Sequence, residues 1–492
     1  MAMAGNRPLW RWSTALLGGL LAGVALPPWG CPPLLWLALL PLWALQPRQA
    51  LLFGGAAVLC SHRWLLWLHP LDWVGVPLPL SLPLCVLLWL AIGALGAGLV
   101  FSWRSLVERL GPQRPTTAVL AAVIWGLMEV LMAKGPLFWL GLGSAALPGD
   151  RALAGLAQWL GAGGLAALQL GLAWWMWRWL RAFWLRRSGA WRAAMAWLVV
   201  VLALHGTGWV LLQRSALKSA ANAVSPPVDL LVLQPAIPTR EKFSWRQQRV
   251  LLRQLSFAQA EAAALEVQAL LLPEGALPLG QALPEAAGTE VLGGGFHQVG
   301  QELRSALLRF PVGSQRPAAA LDKHRLVPLG EWIPGMSLLR WSGLSAVGGV
   351  SPGAPDRLMQ RSQGDLAVVI CYELADGAAV AKASRQGAGW VLATANLDPY
   401  PLLLQHQFAA LAQLRAIESQ RWLVSAANTG PSLVVDPEGV VQRRLPPFAP
   451  GTLPVQVVSR NGVSGYGRWG ELPLAVIAIA STIARRPWMR QS

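Results

Sequence analysis

Long apolar runs follow one another through the first 212 residues of the chain, and then the pattern changes. The runs at 13–28, 33–45, 51–68, 80–102, 118–132, 153–175 and 193–212 approach the ~20 residues an α-helix needs to cross a bilayer, and 472–483 is a shorter eighth. A removable leader would end after one such run, so the series predicts a retained bundle of about eight spans. From about Pro227 the runs shorten to β-branched or leucine-rich segments separated by turns and amphipathic stretches. Strands are predicted at 228–233, 269–272, 366–371, 390–395, 422–426 and 432–435, and helices at 245–268, 375–386 and 403–418. Their alternation predicts stacked sheet and helix layers. The expected division is a membrane bundle at 1–224, an α/β domain at 225–460, and a last span with its tail at 461–492.

Composition supports that division. Hydrophobic residues make up 54% of the chain and charged residues 13%, against roughly a quarter charged in soluble domains. The net charge of +17 would point to nucleic acid if it lay on the globular part. It does not, because residues 225–460 hold 20 Lys and Arg against 18 Asp and Glu. Arginines cluster after the fourth run (Arg104, Arg109, Arg114), the sixth (Arg178, Arg181, Arg186, Arg187, Arg192) and the eighth (Arg485, Arg486, Arg490). With eight alternating spans these loops share one side, which the positive-inside rule makes cytoplasmic, as it does the N-terminus with Arg7 and Arg11. The globular domain is then expected on the periplasmic face of an inner membrane. His62, Arg63 and Glu129 lie inside apolar runs, where facing lipid is costly, and are expected to point into the bundle as interhelix contacts or as a hold on a lipid headgroup. The 28 tryptophans, mostly in the bundle, fit interfacial anchoring.

Cys31, Cys60 and Cys85 sit in or beside apolar runs, and Cys371 is the only cysteine of the globular part. No CxxC pair, HExxH or spaced His/Cys cluster occurs, so neither a disulfide framework nor a metal site is expected. Gly293-Gly294-Gly295 lacks phosphate-loop spacing and reads as a tight strand or turn. Three segments carry reactive side chains: Leu272-Pro273-Glu274 and Val369-Ile370-Cys371 end or follow predicted strands, and Asp322-Lys323-His324 places a rare lysine in a loop. Alone, a strand-end glutamate can be a salt-bridge partner, a loop lysine a solvated charge, and a cysteine after Val-Val-Ile core packing.

Together, Glu274, Lys323 and Cys371 resemble the Glu, Lys and Cys signatures of the nitrilase superfamily. With the bundle added, the chain resembles that superfamily's membrane-bound branch, the apolipoprotein N-acyltransferases, over nearly its whole length. Gln234-Pro235-Ala236-Ile237-Pro238, Gly330-Glu331-Trp332-Ile333-Pro334, Cys371-Tyr372-Glu373, Gln405-His406-Gln407 through Glu418, Asn428-Thr429-Gly430 and Glu129 carry the likeness further. The resemblance implies a polytopic α-helical bundle joined to a nitrilase-like α-β-β-α sandwich. It implies Glu274 as general base, Cys371 as nucleophile, and Lys323, with the amide of Tyr372, as the oxyanion partner. Glu331 is expected to orient Lys323, and Glu373 to support the cysteine loop. Phe243, Trp245, Trp139 and Asn396 are candidate substrate contacts. No cofactor and no metal are implied. The implied reaction moves an acyl chain from a phospholipid to Cys371 as a thioester, then to the α-amine of a diacylated apolipoprotein. Two alternatives stay open: a membrane-tethered amidase in which water deacylates the enzyme, and a transporter or scaffold whose domain only binds.

Overall fold

A computed structural model describes residues 9–72, 75–221, 226–241, 244–277, 282–328, 331 and 349–485. The N-terminal part is helical: α1 (Leu9–Ala25), α2 (Pro32–Leu39), α3 (Pro47–Ser61), α4 (Leu78–Leu110), α5 (Pro115–Lys134), α6 (Arg151–Ala154), α7 (Ala157–Trp184) and α8 (Ala190–Ala221). Among the described residues, α4, α5 and α8 are long and apolar enough to cross a membrane. The other expected spans fall on shorter or interrupted helices. The run at 33–45 becomes the 8-residue α2 and a 3-10 turn, and the run at 51–68 breaks after Ser61 into a 3-10 stretch. At 1.5 Å per residue such pieces fall short of a ~30 Å hydrocarbon layer. A count of eight crossings therefore goes beyond what helix length and apolarity establish.

Two buried polar side chains of the bundle, Glu129 and His62, bond between elements. Glu129 of α5 accepts from Trp125 Nε1 at 2.8 Å and from the amide of Leu142 at 2.9 Å. His62 Nε2 lies 3.2 Å from the carbonyl of Phe138. Arg63 instead donates to the carbonyl of Cys60, in the turn before it, at 2.7 Å. Close helix approach depends on small residues: a Cβ on Gly126 of α5 would lie 2.2 Å from the carbonyl oxygen of Gly163 in α7.

The globular part folds as two sheets. Its strands are β1 (Val228–Gln234), β2 (Ala269–Leu271), β3 (Glu290–Val299), β4 (Glu302–Phe310), β5 (Ala319–Asp322), β6 (Leu358–Met359), β7 (Leu366–Ile370), β8 (Trp390–Ala395), β9 (Leu423–Ala427), β10 (Leu433–Val435), β11 (Val441–Arg444) and β12 (Gly451–Val457). Its helices are α9 (Trp245–Ala264), α10 (Gly377–Arg385) and α11 (Leu402–Ser419); the chain then returns through α12 (Gly465–Trp469) to α13 (Leu472–Ile483), which packs against α5 of the bundle. One sheet has the order β12-β1-β2-β3-β4-β5 and the other β11-β10-β9-β8-β7-β6.

Strand alternation explains the layering. Leu230 and Val232 of β1 join Val368 and Ile370 of β7 in one core, while Leu231 and Leu233 face Leu255, Ala258 and Ala262 of α9. Those α9 positions recur at helical spacing, and Ser244 caps the helix by accepting from the Gln247 amide at 3.3 Å. On the other sheet's outer face lie α10 and α11. Nearly every residue of α11 from Leu404 onward is buried, because the sheet covers one side and the bundle the other. Gln407 on the bundle side donates to the carbonyl of Ser61 at 3.0 Å, and Gln413 on the sheet side to that of Gly439 at 2.8 Å.

The predicted strands and helices all appear, with ends shifted by a few residues. The antiparallel run β3 to β5, the short β6 and β11, and β12 are additions. β3 carries three glycines and β5 two alanines, and the leucines of β4 are interrupted by Arg304, Ser305 and Arg309, so the pairing of this run comes from neighbouring strands. The three glycines lie in β3, where a Cβ on Gly294 would sit 2.5 Å from both Glu274 Cα and Pro273 O. Gly294→Ala is therefore expected to destabilise the protein by about 1–3 kcal/mol. A thermal midpoint in detergent equal to that of the unmodified protein would show that the Glu274 loop yields freely.

Candidate active site

Strand direction gathers four side chains at one end of the sandwich. β1, β2 and β3 are parallel, β5 runs with β3 across the antiparallel β4, and β7, β8 and β9 are parallel. Glu274 follows β2, Lys323 follows β5, Cys371 follows β7 and Asn396 follows β8. These are carboxyl ends of strands, where α/β sheets leave their crevice. Lys323 Nζ is 2.6 Å from Glu274 Oε1 and 2.8 Å from Glu331 Oε2, with its side chain only 1% exposed. Glu274 Oε2 accepts from the Asn396 amide at 3.0 Å, and Glu331 Oε2 from the Val327 amide at 2.9 Å. Each carboxylate is thus held by the ammonium and by one backbone N–H.

Cys371 is buried at the first position of a 3-10 turn, one residue beyond the strand predicted to contain it. Its φ of 55° lies in the left-handed region that non-glycine residues avoid, at a typical cost of about 1–3 kcal/mol that only a well-tied surrounding sustains. Glu373 provides that tie. Its Oε2 accepts from the Ile370 amide at 2.8 Å, and its Oε1 from the amides of His324 at 2.7 Å and Arg325 at 3.2 Å. Arg357 Nη1 bonds both oxygens at 2.8 Å, while its Nη2 donates to the carbonyl of Asp322 at 2.7 Å. One buried carboxylate therefore joins the cysteine turn to the loop carrying Lys323. Arg357 was not foreseen from sequence, where it is one loop arginine among many.

The charges set the resting state of the thiol. Burial alone would depress the Lys323 ammonium, but Glu274 and Glu331 override it and hold Lys323 well above its ordinary value. Burial first, then the charge of Glu274, push the Cys371 thiol well up; Lys323 and the hydrogen bond from the Tyr372 amide pull the other way without reversing it. Glu331 is pushed up by burial and by Glu274, against the pull of Lys323. Two carboxylates against one ammonium leave surplus negative charge, so the resting sulfur keeps its proton.

The site rests on the bundle through aromatic rings. Tyr372 packs 5.2 Å from Phe138, which stacks on Phe408 of α11 at 5.2 Å, and Tyr400 packs 5.4 Å from Trp64. Arg325 bridges the two parts, donating to the carbonyl of Tyr372 at 3.1 Å and to that of Leu137 at 3.4 Å. Trp139 is buried in the bundle with its ring 5.9 Å from His62, and its neighbour Phe138 is the residue that meets Tyr372. Trp245 is 59% exposed at the start of α9, under the guanidinium of Arg249 at 4.1 Å, and forms no part of this cluster. The Asn396 side chain bonds Thr239 at 3.1 Å and Asn428 at 3.0 Å, while its amide holds Glu274. Phe243 lies outside the described residues.

Comparison with known proteins finds matches along both parts of the chain. Residues 18–175 match the apolipoprotein N-acyltransferase N-terminal domain, and residues 214–461 match the carbon-nitrogen hydrolase family. A protein named apolipoprotein N-acyltransferase from Prochlorococcus marinus (strain MIT 9313) is 48% identical over 480 residues, spanning 95% of this chain and 94% of that protein. The chain belongs to the apolipoprotein N-acyltransferase family. A relative of the same name from Parasynechococcus marenigrum (strain WH8102) is 46% identical over 477 residues, with 94% and 97% covered. Among solved structures, Saccharomyces cerevisiae Nit3 of the nitrilase superfamily aligns with 48% of this chain and 91% of its own, at 14% identity and a TM-score of 0.37. In this apolipoprotein N-acyltransferase family member, the nitrilase-like half thus carries the buried charged cluster, and the N-terminal half supplies its aromatic floor.

Two measurements check the site. Because the Cys371 thiol is held above its ordinary value of 9.0, its alkylation by iodoacetamide, followed on the Cys371 peptide, is expected to keep rising beyond pH 9. A plateau near pH 7 would contradict the arrangement described. Glu373→Ala strands the buried Arg357 and is expected to cost about 3–5 kcal/mol, seen as a lower thermal midpoint.

Proposed function

We propose that the chain transfers an acyl group from a phospholipid to the α-amine of an apolipoprotein's S-diacylglyceryl cysteine, in two steps through a thioester on Cys371. The observation that carries this reading is the buried ammonium of Lys323 between Glu274 and Glu331, beside a strained cysteine. Glu274 takes the thiol proton as sulfur attacks the ester carbonyl, since a thiol held this high gains little nucleophilicity without a base. Lys323 and the Tyr372 amide stabilise the oxyanion. The intermediate collapses by breaking the C–O bond, and Glu274 returns its proton to the departing lysophospholipid. The acceptor amine then attacks the thioester, loses a proton to Glu274, and the C–S bond breaks to regenerate the thiol. Glu331 keeps Lys323 charged and aimed, and Glu373 holds the cysteine turn against the lysine loop.

Both substrates are lipids, which accounts for a catalytic cluster seated directly on a membrane bundle. In this proposal residues 1–224 form the bundle, 225–460 the catalytic domain on the periplasmic side of the inner membrane, and 461–492 the final span, with both termini cytoplasmic. The bundle's arginine-rich loops support that orientation.

Mass spectrometry of the full chain mixed with phospholipid vesicles tests the first step. A fatty-acyl increment on the Cys371 peptide is expected, absent in Cys371→Ser and Glu274→Gln while both variants stay in the membrane. Glu331→Ala is expected to slow acylation about 10²–10³-fold, and an unchanged rate would remove its assigned part. Turnover of small amides with no acyl-enzyme from phospholipid would favour the amidase reading instead.

A further inference from the structure

At the opposite end of the sandwich from the triad, the chain leaving β12 meets the bundle. β12 pairs antiparallel with β1, Val457 opposite Val228, so the segment after it lies at the amino ends of the parallel strands. A cavity of about 240 Å³ opens there, walled by Gln158 and Trp159 of α7, Arg214 and Ser215 of α8, and Arg468 and Trp469 of α12. Arg214 and Arg468 are exposed, and among the described residues neither guanidinium has a carboxylate or hydrogen-bond partner. The carboxylates of this region are already engaged: Glu438 with Arg460 at 3.4 Å, Glu418 with Arg415 at 2.9 Å, and Glu471 with Tyr466 at 2.7 Å. Gln158 is 1% exposed, accepts from Gln420 at 2.8 Å, and its Nε2 has no partner.

The rim of the cavity is apolar. Trp159 is 53% exposed and Trp469 56%, and Val210 and Leu217 of the adjoining α8 are 45% and 72% exposed. Free guanidiniums above an apolar helix face, flanked by tryptophans, match a phospholipid with its phosphate at the cations and its chains along the helix. In the proposed orientation this end of α8 is on the outer side, where the positive-inside rule gives arginine no topological role. A second role has to explain two unpaired arginines there.

We propose that this junction is a second lipid site, binding the phosphate of a phospholipid headgroup through Arg214 and Arg468. The bound lipid is not an acyl donor. It fills the seam between α7, α8 and the segment that returns from the domain to the bundle, and the site stands independently of the roles assigned to the triad.

Native mass spectrometry tests this on the full chain in detergent, with Cys371→Ser in every sample to prevent turnover. Dioleoyl phosphatidylglycerol is titrated against the protein with and without Arg214→Gln and Arg468→Gln. The double variant is expected to lose one tight lipid, with affinity at that site at least about tenfold weaker, while its lipid-free thermal midpoint stays unchanged. Either single variant, with a smaller loss, serves the same comparison if the double variant does not fold. Equal lipid number and affinity in all samples would overturn the site. Displacement of the lipid by inorganic phosphate at matching concentration would overturn the lipid assignment in favour of a free-phosphate site.

Discussion

An ammonium that cannot reach water must be paired, and the pairing of Lys323 dictates the geometry of the active end of the domain. In a low-dielectric setting an unpaired charge is expensive enough to unfold its surroundings, so Glu274 and Glu331 converge on Nζ from separate loops. The pairing is also unbalanced. Burial, with the negative charge of Glu274, holds the neighbouring thiol well above its ordinary value despite the pull of Lys323. Reactivity of the sulfur then requires a group that adds positive character or takes up the thiol proton.

Around this cluster, rigidity comes from a second buried ion pair. Glu373 and Arg357, both buried, tie the backbone on either side of Cys371 to that on either side of Lys323. The left-handed backbone at Cys371 is sustained by these bonds rather than by its own preference. Arg325 extends the same frame into the membrane half through the carbonyls of Tyr372 and Leu137. Arg325 is thus a direct hydrogen-bonded link between the bundle loop at 135–141 and the cysteine turn.

Much of this was legible in the sequence, and the gaps have physical causes. The parallel strands β1, β2, β7 and β8 announce themselves as continuous apolar runs because both faces are buried. Glu274 and Cys371 were recognisable because each follows such a strand, and Lys323 because a rare loop lysine stands between them at similar spacing. β3 and β5 were not legible, since glycine and alanine carry no strand signal and the close approach of Glu274 demands glycine at Gly294, while in β4 Arg304, Ser305 and Arg309 break the apolar run. Arg357 and Tyr400 acquire their places only through contacts between segments far apart in sequence. Helix count in the bundle was the weakest inference, because an apolar run gives composition but not where a helix breaks, as after Ser61.

The two-sided burial of α11 has a practical meaning. In a free-standing enzyme of this layered kind the outer helices would present one polar face to water, yet α11 offers Phe408, Gln407 and Leu411 to the bundle instead. The membrane half therefore acts as a further layer of the sandwich. Cutting the chain at the end of α8 would not liberate a water-soluble catalyst but bare a sticky flank. The two halves consequently have to be made, extracted and handled as one body.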